Sequence, residues 1–269
     1  MKTEIKHAMG AEYYQDSATP SNPSGWVSKS ILWDCFKRRS PHKWKHGKKE
    51  KMSDPMIFGI LVHAVAFQPS RVHEEFAISE WENFRTKAAQ EWRDEQLAAG
   101  KIVVSQEQAY RASEMDDVIA GEIAATHGQC QYEVAVYSDV SHKVKGQIDV
   151  VPPQSDFLVD LKTTSSIPEQ DAIPGMILSR GYHWQAAMYL DLYNAATGES
   201  RDKFELLLIE TEAPYETARV ILSEKMIEAG RREYQTALDR WAYCVSKNRW
   251  PKRIDSCYVA DLPAWYKPQ

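Results

Sequence analysis

Apolar residues recur at helical spacing in the first half of the chain and at strand spacing in the middle. Residues 29–37 follow Ser28, a favoured N-cap residue, and carry Ile31, Leu32 and Phe36 on one side, which predicts a short helix. Pro41 closes that region, and the basic stretch after it reads as a loop. Ser53-Asp54-Pro55 opens a second helix, with proline in the first turn, where its missing N–H costs nothing. Its continuation, MIFGILVHAVAF, is apolar nearly all round and should be buried. Ser79 with Glu82, and Ser105 with Gln108, form capping-box patterns for two more polar helices, one ending at Ala99 before Gly100 and one near Thr126. These two form an insertion or an outer layer.

The period then changes to two. QYEVAVY (131–137), KVKGQIDVV (143–151) and DFLVDLK (156–162) read as strands joined by short turns, hence an antiparallel meander. A helix over 180–196 closed by Gly198, a buried strand KFELLLIE (203–210) and a long amphipathic helix over 223–247 complete the pattern. Residues 1–26 are a polar, loosely ordered lead-in, and the Pro- and aromatic-rich 250–269 is a segment wrapping a surface. The order predicts an α/β protein: one domain over 1–269, with a mixed central β-sheet flanked by helices.

Composition changes this picture little; charge distribution changes it more. A hydrophobic fraction of 43% and a charged fraction of 26% are ordinary for a globular chain. No apolar run approaches the roughly 20 residues of a membrane span. The start, MKTEIKHAMGAEYYQD, lacks the apolar stretch of a secretory signal, so the expected compartment is the cytoplasm, with no membrane partner. Cysteines 35, 130, 244 and 257 form no CxxC pair, which argues against structural zinc and a disulfide framework. The formal net charge is −5, yet residues 37–51 (KRRSPHKWKHGKKEK) carry +7 and the remainder −12. That asymmetry suits phosphate contacts, although a solvated basic loop would show it too.

The chemistry gathers in the meander. Asp149 lies near the end of one strand; Asp160 and Lys162 lie on the next, two residues apart and therefore on one face, opposite Val159 and Leu161. A short turn can bring Asp149 beside Asp160. Two adjacent carboxylates repel unless a cation neutralises them, and hard oxygen ligands of this kind suit magnesium. A neighbouring lysine can stabilise charge on a phosphate, so the set suits phosphodiester hydrolysis. Alone, DxK is a common surface ion pair; within FLVDLKT, burial makes that reading hard to sustain. Glu133, on the preceding strand, can supply a further carboxylate.

The pieces GILVH (59–63), YEVAV (132–136), GQID (146–149), VDLKTT (159–164) and HWQAAMY (183–189) stand in the order and spacing of a known pattern. Over about 28–193 the chain resembles the PD-(D/E)xK nuclease superfamily, with its restriction-endonuclease-like core, and in particular the RecE-like and RecB-like exonucleases of phages and prophages. The resemblance implies that Asp149 and Asp160 hold the metal, with the Leu161 carbonyl as a further ligand. It implies Lys162 as the catalytic lysine, Glu133 as an aid to a second metal, and His63 as a histidine near the metals. Gln185 and Tyr189, four apart on one helical face, become the residues facing the site. Ser28, Ser30, Lys37, Arg38 and Arg39 become candidates for holding a DNA strand or its terminal phosphate.

The activity so implied is a Mg2+-dependent exodeoxyribonuclease, with one or two ions per site and Mn2+ able to substitute. It would digest one strand of linear duplex DNA from an end, 5′ to 3′, leaving 3′ single-stranded overhangs for recombination by annealing. The implied partners are duplex ends, a single-strand annealing protein, and further copies of the chain in a ring-shaped trimer or tetramer. An endonuclease of the same fold and a catalytically inactive DNA-binding recombination accessory are the alternatives. Some relatives hold an iron–sulfur cluster with one early and three late cysteines; here only Cys244 and Cys257 are late, so no cluster is expected. No Walker A motif is present, so no ATP requirement is expected.

Overall fold

The meander is the centre of a six-stranded sheet. A computed structural model describes residues 2–6, 11–48, 50–254 and 257–262. The main strands are β1 (Thr3–Lys6), β4 (Gln131–Ser138), β5 (Val144–Val151), β6 (Phe157–Thr164), β7 (Lys203–Glu210) and β8 (Thr217–Ile221), in the order β1-β4-β5-β6-β7-β8. Neighbours are antiparallel except β6 and β7, which run parallel. Two short strands, β2 (Phe76–Ser79) and β3 (Ile102–Ser105), form a separate parallel pair. The expected mixed sheet flanked by helices is what the chain adopts.

Helices cover both faces. On one side lie α4 (Asp54–Phe67) and α7 (Gln106–His127), packing Leu61, Val62, Met115 and Ile119 onto Val159, Leu161 and Leu207. On the other, α2 (Lys29–Trp33), α9 (Tyr182–Thr197) and α10 (Glu224–Lys247) pack Leu32, Trp184, Met188 and Trp241 with Leu158, Leu206 and Leu208. Leu206 to Ile209 therefore alternate between two apolar layers, which is why KFELLLIE shows no polar face. α9 and α10 approach so closely that a Cβ at Gly230 would lie 2.0 Å from the His183 carbonyl oxygen. Any side chain at 230 would push the two helices apart.

Several elements depart from expectation. The lead-in contributes β1, paired with β4 from Thr3↔Ser138 to Lys6↔Ala135, and the short helix α1 (Ala11–Gln15). Lys145 anchors that segment: it is 0% exposed, and its ammonium sits 4.3 Å from the Tyr13 ring centroid and pairs with Asp16. α2 runs into a π-helical turn over Asp34–Arg38. The basic stretch is no loop but opens with α3 (Pro41–His46), where Pro41 begins a helix that Ser40 caps through the Lys43 N–H. Ser79 turns its hydroxyl to the Trp81 N–H rather than capping a helix, while α5 (Pro69–Glu75) precedes β2 and α6 (Lys87–Ala98) starts at Thr86. The Ser105–Gln108 capping box forms as expected, and α7 is a core helix rather than an outer layer. Gly181, at φ +68, separates α8 (Ile173–Arg180) from α9. Of the expected wrapping segment, Trp250 packs on Trp44 and residues 257–262 are exposed; residues 255, 256 and 263–269 lie outside the described residues.

Candidate active site

β6 has two different edges. Toward β7 it pairs over all eight residues, from Phe157↔Lys203 to Thr164↔Glu210. Toward β5 the ladder shrinks to one register pair, Val150↔Val159, and the strands part beyond it. Backbone groups left by the parting must find partners. The Leu161 N–H donates to Asp149 Oδ2 at 2.8 Å, and the Leu161 carbonyl lies 3.1 Å from His63 Nε2 on α4. The gap in the sheet thus holds two of the expected site side chains in place.

Glu133 joins them from β4. Its flanking residues pair as Tyr132↔Val150 and Val134↔Ile148, which sets Glu133 opposite Asp149. Its φ of +51 is a left-handed conformation that costs a non-glycine residue about 1–3 kcal/mol and clusters at functional sites. His63 Nδ1 lies 3.7 Å from Glu133 Oε1 and 3.6 Å from Asp149 Oδ2. One ligand atom from each of His63, Glu133 and Asp149 falls within 4.8 Å of the others.

Asp160 and Lys162 point to the same face of β6, as the two-residue spacing requires, and their charged ends pair. Gln185, one turn into α9, donates its Nε2 hydrogen to Asp160 Oδ1. Asp160 Oδ2 is buried and, apart from the charge pairing with Lys162, has no hydrogen-bond donor. Tyr182, three residues before Gln185, lies with its ring centroid 5.1 Å from the Lys162 ammonium. Tyr189 lies one turn beyond Gln185; it packs on Gly146 and bonds the Gln147 backbone, which sets it behind the carboxylates.

The electrostatics are those of charges taken out of water. Burial and the Asp149 charge lift the Asp160 carboxyl to about 6, against the pull of Lys162. Burial likewise raises Asp149, with His63 opposing. Burial would lower His63, but the Asp149 and Glu133 carboxylates outweigh it and hold the imidazole at about 9. Burial is similarly outweighed at Lys162, which Asp160 and Asp149 keep charged. Glu133, Asp149 and Asp160 are at most 9% exposed. Carboxylates so placed need a compensating cation. Two carboxylates and an imidazole, beside an Asp160 oxygen that faces Lys162, fit a divalent metal by their donor chemistry.

The sequence over residues 34–263 matches a family described as a PDDEXK-like domain of unknown function (DUF3799). The chain belongs to this PDDEXK-like family. No curated protein matches the sequence. Among solved structures, a protein from Eubacterium rectale that carries an exonuclease assignment is similar over 96% of both chains, with 16% identity and a TM-score of 0.61. A phage-related exonuclease from Haemophilus somnus 129PT matches 68% of this chain and 96% of its own, with 12% identity and a TM-score of 0.36. An alkaline exonuclease from Laribacter hongkongensis matches 61% and 89%, with 13% identity and a TM-score of 0.27. The Eubacterium rectale protein shares the fold of this chain.

In this PDDEXK-like chain the expected strand-holding residues do not meet at the carboxylates. Ser28 sits before α2 without capping it, and Ser30 is exposed. Lys37 pairs with Glu233 at 2.8 Å, Arg38 with Asp34 and Glu50, and Arg39 with Asp34. Lys29, which the sequence pattern does not single out, lies beside the site instead. Its ammonium lies 5.4 Å from the Tyr182 ring centroid and donates to the Arg180 carbonyl at 3.0 Å. Burial and the nearby Lys162 lower its pKa to about 7. The only signal in the sequence was its place between Ser28 and Ser30, which says nothing about which way it points. Among the described residues, no helix is long and apolar enough to cross a membrane.

Proposed function

We propose that this protein is a divalent-metal-dependent exodeoxyribonuclease acting on linear duplex DNA. The observation that carries the reading is the site at the parting of β5 and β6, where His63, Glu133 and Asp149 converge beside the Asp160–Lys162 pair. The resident ion would be Mg2+, with Mn2+ as a substitute, held by Asp149, Glu133 and His63, with Asp160 and the Leu161 carbonyl completing the set. When bound, such an ion supplies Lewis-acid chemistry, lowering the pKa of water and offsetting charge on a phosphate. Lys162 holds its proton and places a positive charge where the phosphate gains negative charge. Gln185 fixes the Asp160 carboxylate, and the Leu161 N–H fixes that of Asp149, so neither has to reorganise during reaction.

Exonuclease action rests on the family resemblance. On this reading residues 1–269 form one nuclease domain that digests 5′ to 3′ and leaves 3′ overhangs for a single-strand annealing protein. It acts as a ring-shaped trimer or tetramer, encoded by a phage or prophage and working in the host cytoplasm. Linear duplex carrying a label at the 5′ or the 3′ end, with and without Mg2+, tests the reading. Early release of the 5′ label, only with metal, is expected, and covalently closed circles should stay intact. Cleavage of closed circles would make the protein an endonuclease. Binding to duplex with no cleavage under any divalent metal would make it a DNA-binding accessory.

A further inference from the structure

Two basic segments far apart in sequence meet on the surface beside α3. One is the stretch from Arg38 to Lys43, and the other is Lys252 and Arg253, near the far end of the chain. Together they line a cleft of about 300 Å3 with Arg38, Arg39, His42, Lys43, Lys252 and Arg253. No acidic residue is among the described residues of that lining. Asp34 and Glu50 pair with Arg38 and Arg39 from outside the lining, and the remaining lining cations still set the cleft against a chain of net charge −5.

Like charges do not gather unaided: the Asp34 and Glu50 carboxylates offset part of the charge, and apolar packing brings the two segments together. Trp44 lies on Trp250 with ring planes 25° apart and centroids 5.2 Å apart, and Trp241 meets both edge-on. All three indoles are at most 7% exposed. Polar contacts to the backbone lock the seam. The His42 N–H donates to the Pro251 carbonyl at 3.0 Å. Arg253 Nη2 donates to the carbonyls of Lys37, Arg38 and Arg39, the last at 2.6 Å.

The cleft is also aligned with the candidate active site. α2 and the π-helical turn form one continuous run from Lys29 to Arg38. Nine residues at the helical rise carry the chain ~13 Å from Lys29 to Arg38, at the edge of the cleft. Along one face of that run stand Lys29, Trp33 and Lys37, both ammonium groups within 6.0 Å of the Trp33 ring centroid. At its start, Tyr182 lies between Lys29 and Lys162. Cations and rings, with Glu233 paired to Lys37, therefore run from Lys162 toward the cleft.

We infer that the cleft closed by residues 250–253 over α3 is a docking site for the phosphodiester backbone of DNA, beyond the end of the helical run that starts beside the candidate active site. The inference rests on the nuclease reading for the identity of the polyanion. Lys43 and Lys252 would each hold a phosphate, and Arg253 would fix the seam rather than touch DNA.

The test measures binding without cleavage, using fluorescence anisotropy of a labelled ~20-base-pair duplex with Ca2+ in place of Mg2+, across roughly 50 to 200 mM salt. The double variant Lys43→Ala/Lys252→Ala should bind about tenfold more weakly near physiological salt, and its salt slope should fall by roughly 1.8, about 0.9 per lost phosphate contact. Lys43→Arg/Lys252→Arg should keep wild-type affinity and slope. Lys87→Ala/Lys101→Ala, which removes the same charge at α6 and before β3, on the other side of the sheet, should leave the slope in place. A wild-type slope in the cleft variant, or an equal loss in the distant one, overturns the inference. Duplex binding with the expected slopes but no cleavage under Mg2+ would overturn the nuclease reading and leave the cleft standing.

Discussion

The two edges of β6 have the same strand between them and opposite fates. Against β7 every residue is in register, and the apolar side chains of β7 fill both layers of the core. Against β5 a single register pair remains, and the Leu161 N–H and carbonyl turn to Asp149 and His63 instead. The closed edge supplies rigidity, and the open edge supplies unpaired polar groups that can be aimed. Buried charge is tolerated on the open edge because backbone, Gln185 and Lys162 hold it in place.

If the edges divide labour in this way, substitutions on each should fail differently. Asp149→Asn keeps an acceptor for the Leu161 N–H but removes the charge, so cleavage should fall ~10^3-fold or more, about 4 kcal/mol of transition-state stabilisation. Single-turnover digestion reads this, and activity within tenfold of wild type would show that the open edge is not the reacting one. Leu206→Ala on the closed edge should cost about 2–5 kcal/mol of stability by denaturant titration, since Leu206 is 0% exposed. Its folded fraction should cleave at a rate close to wild type; a large loss of rate would blur the division.

Metal should act on the open edge alone. Mg2+ at about a hundred times its dissociation constant should add ~2.7 kcal/mol of stability, read as a higher melting temperature, and Asp149→Asn should lose most of that gain. The gain should also shrink in acid. The Asp160 carboxyl is raised from 3.8 to about 6, so between those values the folded, metal-free protein holds a proton that the unfolded chain has released. Stability without metal therefore falls as pH rises through that window, and the benefit of Mg2+ grows over the same range. The smallest effect belongs to Gln185→Leu, which touches the chemistry only through Asp160. A loss of about 10–100-fold in cleavage is expected, with little change in melting temperature. No loss of rate would place Gln185 among the packing residues of α9.

Much of the closed edge could be read along the chain. KFELLLIE, the capping box of α7 and the period-two stretches all carry their own local signals, and their observed ends differ from expectation by a residue or two. The shared face of Asp160 and Lys162 followed from strand geometry alone. What could not be read depends on partners distant in sequence. β1 is four residues long and gains its strand form from β4, and β2 and β3 likewise stabilise each other. α3 was hidden by its lysines and by Pro41, which served as a helix start rather than a stop. The parting of β5 and β6 leaves no mark on local periodicity. Nor did composition show that Lys37, Arg38 and Arg39 would meet carboxylates while Lys29 turned toward Lys162.

Position 133 carries a consequence for how this family diverges. Its backbone adopts a conformation that glycine or asparagine would occupy with less strain, yet it bears a carboxylate turned toward His63. Genetic drift alone should replace that glutamate early, because the replacement relaxes the main chain and leaves the sheet intact. On the proposed reading, glutamate kept at this place in a diverged homologue marks a pocket still under selection, and glycine there marks one released from it.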